Sequence, residues 1–271
     1  MVCFNCLATT TIKSGTVVIG HATGLGSGGN ISFTGGGLQY GSGITTDISS
    51  RIKNSGSAIR VDTNGESVTW GTAVDSTNSG GLTKNGTGTL TLSATNTYTG
   101  STTLNAGTLA VSGNIASSGL VINSGGIISP GTSAAADSFG TSSITINGGG
   151  YNWTLATVNS ATAGTDYDQI ALSGALTLNN TSANPFTIYL NGTPTSWSNS
   201  GNYSWNINTA ASQSGFNSGN FSLNFASFGI ASANRTGTWA FSSSSGGNIT
   251  LTYTSAGADS VWSGGAGSWS S

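Results

Sequence analysis

Short runs rich in threonine and β-branched residues recur along the chain, and glycine, asparagine or serine bounds each of them. Examples are TTTI, TVVI, SITI, GTLTL, GTLAV, ALTL, FTIYL and ITLTYT. Such runs are typical of β-strands, and their return about every ten residues fits a sandwich, a barrel or a solenoid. The sequence contains no apolar stripe of useful length with helical spacing. It therefore predicts an all-β fold built from many short strands.

Uncharged polar residues dominate the composition. Of 271 residues, 43 are Gly, 45 Ser, 40 Thr and 26 Asn, whereas only 6 are Lys or Arg and 8 are Asp or Glu. Six cations cannot neutralise a nucleic-acid backbone, which excludes that class of partner. No 18-residue stretch is apolar throughout, so no transmembrane segment is predicted. Hydrophobic residues still reach 35%, which favours an ordered core over disorder.

Threonine and the aliphatic residues are arranged as stacked strands require. Threonine is β-branched, and its hydroxyl can bond to a like residue on a neighbouring strand. The aliphatic residues alternate with Gly, Ser and Thr, which places one set inward and the other outward. The residues expected to face inward are Val17, Ile19, Leu90, Leu92, Leu104, Leu109, Val111, Leu120, Ile122, Ile144 and Ile146.

One long segment, residues 81–113, carries a specific pattern: GLTKNGTGTLTLSATNTYTGSTTLNAGTLAVSG. It opens with Gly-Leu-Thr-Lys ending at Lys84, continues with GTGTLTL ending at Leu92 and NTYTG ending at Gly100, and closes with TTLNAGTL ending at Leu109. This segment resembles the autotransporter-associated β-strand repeat, also called the passenger-associated transport repeat. The resemblance implies a parallel β-helix (β-solenoid) passenger of a secreted or surface-attached bacterial protein.

Less specific similarity to the same proteins continues beyond the repeat. SGGIISPG at 124–131 and ITINGG at 144–149 look like further coils. Thr165-Asp166-Tyr167-Asp168 looks like a segment of large surface proteins that carry this repeat, and VWSGG at 261–265 looks like the opening of another unit. Together the resemblance covers about two thirds of the chain.

Composition also divides the chain. Residues 1–14 are expected to be an irregular N-terminal segment, and residues 15–150 a β-solenoid with the repeat at 81–113. Residues 151–258 are rich in aromatics and are expected to continue or cap the solenoid, and residues 259–271 form a Gly/Ser linker. Positions after 150 hold 17 of the 23 aromatic residues.

Few residues are candidates for chemistry. Cys3 and Cys6 form a C-x-x-C pair, but structural zinc needs four ligands and His21 is the only histidine. The pair is expected to be free thiols or a disulfide. His21 lies in a glycine-rich stretch without a nucleophile-elbow context, so a solvated loop residue is expected. The sequence predicts no catalytic residue, no metal site and no cofactor.

The acidic and basic residues have equally plain interpretations. Asp166 and Asp168 lie two apart and share one face if they are on a strand, which could serve sugar hydrolysis or calcium binding. The expected role is to shape a turn. The densest charge cluster is expected to be a solvated face or a few exposed ion pairs, which contribute little each. It comprises Asp47, Arg51, Lys53, Arg60, Asp62 and Glu66.

The aromatic residues after position 150 offer two roles. Trp153, Trp197, Trp205 and Trp239 could stack on sugar rings, but alternation in FTIYL, YSWNI and GTWAF favours core packing or a subunit interface. The segment 186–253 is expected to cap the solenoid or join copies of it. The predicted function is non-enzymatic: an extracellular stalk, matrix or filament-forming unit whose partners are copies of itself. The alternative is an adhesin module that binds surface glycans, and a sugar lyase or hydrolase is the least favoured hypothesis.

Overall fold

The computed structural model describes residues 9–257, except 27, 116–118, 132–135, 159–161 and 245. Within these residues the chain forms 22 strands and three single-turn 3₁₀ helices, at Ser49–Arg51, Ser218–Asn220 and Ser232–Asn234. Strands β1 to β22 are, in chain order, Thr10–Ile12, Thr16–Ile19, Ile31–Phe33, Gly37–Tyr40, Ile59–Asp62, Ser67–Trp70, Leu82–Asn85, Thr89–Leu92, Thr102–Val111, Leu120–Pro130, Ser138–Thr141, Ile144–Ile146, Gly150–Thr154, Gln169–Leu172, Ala175–Leu178, Phe186–Gly192, Tyr203–Asn206, Asn208–Thr209, Ser212–Ser214, Phe221–Phe228, Thr238–Ser243 and Ile249–Thr254.

One long parallel sheet runs through most of the molecule. Its strands lie in the order β2, β4, β5, β7, β9, β10, β12, β15 and β19, so each strand pairs with the same part of the next coil. The coil from Thr102 to its partner Leu120 takes 18 residues. The coil from Ala175 to its partner Ser212 takes 37. The solenoid therefore has short coils in its middle and longer ones near its C-terminal end.

Two further faces complete each coil. The second face contains β6, β8, β13, β16 and β20 together with the second halves of β9 and β10, which bend and belong to both faces. The third face contains β1 with β3, and β11, β14 and β18. All strand pairs on these three faces are parallel. The predicted parallel β-solenoid is confirmed.

The core follows from the alternation of side chains. Every residue expected to face inward is buried except Val17, which is half-buried. Because each coil contributes only a few apolar side chains, the coils have to stack before a continuous core exists. The aliphatic residues give way to large aromatic ones after position 150, where Tyr151 and Trp153 lie fully inside the solenoid.

The C-terminal part of the described chain departs from the coil pattern. Strands β17, β22 and β21 form a separate three-stranded antiparallel sheet. Backbone and side-chain hydrogen bonds join it to the last coils, including Ile207 N to Ile249 O (3.0 Å) and Ile249 N to Asn208 Oδ1 (2.9 Å). Half-buried rings from this sheet pack against the core. None of the helices in the described part of the chain has the length or apolar character needed to cross a bilayer.

Candidate functional site

The coil of the recognised repeat encloses a lysine. Lys84 follows Leu82 on the inward side of β7 and has no exposed surface. Its Nζ donates to three backbone carbonyl oxygens, those of Asn85 (2.9 Å), Gly86 (2.8 Å) and Ala106 (3.0 Å). All three ammonium hydrogens are therefore used. Burial lowers the pKa of Lys84 to about 8, an effect that the nearby Asp62 carboxylate partly offsets.

A glycine lets the next coil approach this lysine. Gly107 has a positive φ of 67° and lies opposite Gly126 and beside Gly88. A Cβ atom on Gly107 would lie 2.4 Å from Gly88 O and 2.9 Å from Lys84 Nζ. The glycine after Asn-Ala in the repeat thus permits both a left-handed backbone and close coil contact. Lys84 therefore holds two neighbouring coils together through its hydrogen bonds.

Arg51 performs a similar role near the N-terminal end. Its guanidinium donates to four carbonyl oxygens of one glycine-rich loop, those of Leu25, Gly26, Gly28 and Gly29, at 2.7 to 2.9 Å. Burial lowers the pKa of Arg51. The side chain lies 22 to 26 positions along the chain from its acceptors, so it holds one coil to the previous one.

The other charges of the predicted cluster also join coils. Asp47 accepts a hydrogen bond from the Gly71 amide (2.8 Å), and Glu66 accepts one from the Gly43 amide (2.8 Å). Asp62 accepts from the Gln39 side chain (2.9 Å). Lys53 forms an ion pair with Asp75, which lowers the pKa of Asp75. All six charges of the cluster are exposed or half-buried, and most of them also bind the backbone or side chains of a neighbouring coil.

Asp166 and Asp168 serve different segments. The Asp166 carboxylate accepts the Thr162 amide (2.9 Å) and so shapes a tight turn. The Asp168 carboxylate is fully buried and accepts the amides of Asp137 (2.7 Å) and Thr154 (2.8 Å). Because each carboxylate is engaged by backbone donors, the pair does not form the open acid–base or calcium arrangement considered from the sequence.

The buried Asp168 predicts a pH effect on stability. Burial raises its pKa to about 7, against the opposing effect of the two amides. The folded chain therefore holds a proton that the unfolded chain, with a pKa near 3.8, has lost. This contribution is complete below pH 3.8 and disappears as the pH rises through about 7. We expect the free energy of unfolding to fall between pH 5 and pH 8, by about 3 kcal/mol from this group.

Urea unfolding followed by circular dichroism at pH 5 and pH 8 measures this effect. The variant Asp168→Asn keeps the shape of the side chain but does not titrate, so the difference between the two pH values should shrink. An Asp166→Asn variant is the matched control and should keep the wild-type difference. An unchanged pH difference in Asp168→Asn would contradict the assignment.

The remaining single candidates are His21 and the two cysteines. His21 is exposed, and its Nδ1 lies 3.0 Å from the Thr23 hydroxyl. Cys3 and Cys6 lie outside the described residues, as does the segment 261–265. No group of three His, Cys, Asp or Glu side chains placed to hold a metal ion occurs in the described ranges.

The aromatic residues after position 150 form one connected cluster. Trp153 lies edge-on to Trp205, with ring centroids 5.6 Å apart, and Trp205 stacks on Trp239 at 6.1 Å. Trp197 stacks on Trp239 at 5.8 Å and an interplanar angle of 12°. Rings of Tyr203, Phe228 and Tyr253 surround Trp197. The ring faces therefore contact one another, and the half-buried rings of the cluster pack against the solenoid core.

Sequence reasoning missed a polar surface on the long sheet. Five asparagines at equivalent positions of consecutive coils form what we call the asparagine column: Asn85, Asn105, Asn123, Asn147 and Asn179. From Asn105 onward, each Nδ2 donates to the Oδ1 of the asparagine on the preceding coil at 2.7 to 3.0 Å. The signal was present, because four of the five asparagines directly follow a leucine or isoleucine of a strand, but their spacing varies between 18 and 32 positions.

A second outward column runs beside the first, two positions earlier on each strand. This threonine column comprises Thr83, Thr103, Val121, Thr145 and Thr177, which are paired in register. All five are half-buried. The two columns together carry no charge, whereas the preceding strand presents Arg60 and Asp62 in the same positions. The sheet therefore has an uncharged, regularly spaced outer surface over five coils.

Comparison with protein families identifies the repeat. Residues 82–111 match the Passenger-associated-transport-repeat family, which confirms the resemblance of segment 81–113. This repeat is associated with autotransporter passengers, which are secreted or surface-exposed, and no catalytic family was identified. Searches among curated proteins and among solved structures found no match.

Proposed function

We propose that the chain is a non-enzymatic structural segment of an extracellular or surface-displayed bacterial protein, and that it acts as a stalk, matrix or filament-forming unit. The stacked parallel sheet is the observation that carries this proposal, because stacked coils make a stiff rod. The polar chemistry of the described residues supports it, because the buried or half-buried side chains of Lys84, Arg51 and Asp168 are engaged in holding the backbone. The passenger repeat at 82–111 supports the location.

Copies of the same chain are the proposed partners. Among the described residues, the long sheet ends at β2, which pairs only with β4, and at β19, which pairs only with β15, so each end of this sheet leaves one strand edge without a strand partner. On β2, Val18 is a 56% exposed hydrophobic residue. Unpaired edges accept strands from other molecules. Contact between unlike edges does not close on itself and gives a filament.

Electron microscopy of the purified chain at neutral pH tests this assembly. Nine strands about 4.8 Å apart give a rod of roughly 40 Å, so fibres many times longer require joined copies. We expect wild-type fibres and their loss in Val18→Lys, which places a charge on the edge. Thr91→Lys on β8, which has a strand partner on both sides, is the matched control. Short single rods of the wild type would contradict filament formation, and the proposal would then be restricted to a stalk.

The glycan-binding alternative has less support from the geometry. The tryptophans that would carry it pack on one another, and Trp205 is 2% exposed. A polysaccharide pull-down with the same purified chain checks this alternative. Retention of the wild type that is lost in Trp197→Ala would favour the adhesin.

A further inference from the structure

The two outward columns on the long sheet form a two-dimensional array of hydrogen-bonding groups. In the threonine column, threonine carries a hydroxyl and a methyl group on a stiff χ1 angle. In the asparagine column, each inner amide uses one hydrogen and one lone pair within the column. One hydrogen and one lone pair of each amide remain for a ligand. Because both sets of side chains are already ordered, binding costs little conformational entropy.

The spacing of this array is set by the backbone. Neighbouring strands are about 4.8 Å apart, and positions i and i+2 of one strand are about 6.7 Å apart. In tetrahedral ice with oxygen–oxygen bonds of about 2.75 Å, second-neighbour oxygens are about 4.5 Å apart, and the repeat along the hexagonal axis is about 7.4 Å. The two lattices therefore agree within about 0.3 Å per coil and about 0.7 Å across the columns.

The absence of charge on this surface also favours a neutral, hydrogen-bonding ligand. Five coils of both columns are neutral, and charge begins only at Arg60 and Asp62 on the adjoining strand. A neutral surface of alternating donors and acceptors complements a neutral lattice of donors and acceptors, and it has no ionic attraction to offer a charged polymer. Thr103, Val121 and Thr145 are paired in register, so their β-branched side chains follow one another along the column.

From this geometry we infer that the outer surface of β7, β9, β10, β12 and β15 binds ice, with the threonine and asparagine columns aligned on its lattice of water molecules. This role goes beyond the proposed structural function and does not depend on it. A stalk that binds no ice and an ice-binding unit that forms no filament are both possible results, so the two proposals fail separately.

Incorporation of the full, fluorescently labelled chain into slowly growing ice tests the inference. We expect the wild type to enter the ice, whereas a soluble protein without ice affinity stays in the liquid. The double variant Thr103→Tyr/Thr145→Tyr places two bulky rings on the array and should remain in the liquid. Thr69→Tyr on the second face is the matched control and should enter like the wild type. Thr103→Val keeps the shape already present at Val121 and should also enter.

Circular dichroism and the thermal midpoint establish that each variant is folded. If the double variant does not fold, Thr145→Lys is used in its place, with the same expected loss. The inference is overturned if the wild-type chain is excluded from ice. It is also overturned if the folded double variant enters as the wild type does, or if the wild type binds crystalline cellulose through these positions and not ice.

Discussion

Replacing Trp153 with alanine is expected to lower the free energy of unfolding by about 3–5 kcal/mol. Trp153 has no exposed surface, lies against Trp205 and Tyr167, and donates its indole N–H to Asp168 O at 2.7 Å. Its removal leaves a cavity where the aliphatic core meets the aromatic cluster and leaves a buried carbonyl without its donor. Since natural domains are stable by about 5–15 kcal/mol, this loss is a large share of the total.

Urea unfolding followed by circular dichroism measures the loss. Trp153→Phe is the matched variant, because it keeps an aromatic ring and removes only the N–H and part of the volume. We expect it to lose about half as much as the alanine variant. A loss below about 1 kcal/mol in Trp153→Ala would show that the aromatic cluster does not depend on this ring.

Replacing Lys84 with methionine is expected to lower the free energy of unfolding by about 2–3 kcal/mol. Methionine fills nearly the same space as the lysine stem, so the cavity is small. The carbonyl oxygens of Asn85, Gly86 and Ala106 lose their common donor, and buried acceptors without partners are costly. Relief from burying a charge offsets part of this cost, which limits the expected loss.

Lys53→Met provides the comparison for Lys84. Lys53 makes a partly exposed ion pair with Asp75, and such pairs contribute at most about 1 kcal/mol. Thermal and urea unfolding of both variants should therefore rank Lys84→Met as clearly the less stable. Equal stability of the two variants would mean that the carbonyls around Lys84 are hydrated in its absence.

The architecture could be read from the sequence because local patterns determine it. The alternation around Leu90, Leu92 and Leu104 placed these residues inside, where the structure has them. The same alternation put Lys84 on the face of Leu82, yet a lysine in that position was treated only as part of the repeat. The sequence does not show the role of Lys84, because one of its acceptors, the carbonyl oxygen of Ala106, belongs to the next coil and lies 22 positions away.

Contacts between coils of unequal length were beyond sequence reasoning. The amides that bind Asp168 are those of Asp137 and Thr154, 31 and 14 positions away. Because such distant partners leave no local pattern, the sequence suggested only a turn for this residue. The asparagine column escaped for the same reason, since Asn147 and Asn179 are 32 positions apart while Asn105 and Asn123 are 18 apart. A fixed period would have revealed the column, but the loops between strands vary too much.

The asparagine column also has a direction. Each amide from Asn105 to Asn179 donates toward the coil before it, so the amide dipoles add along the axis and polarise one another. The column ends in an unshared donor at Asn85, beside the position of the Asp62 carboxylate, and in an unshared acceptor at Asn179. The two ends of the column therefore differ in hydrogen-bonding character, with a donor at Asn85 and an acceptor at Asn179, and the rod carries a polarity along its axis.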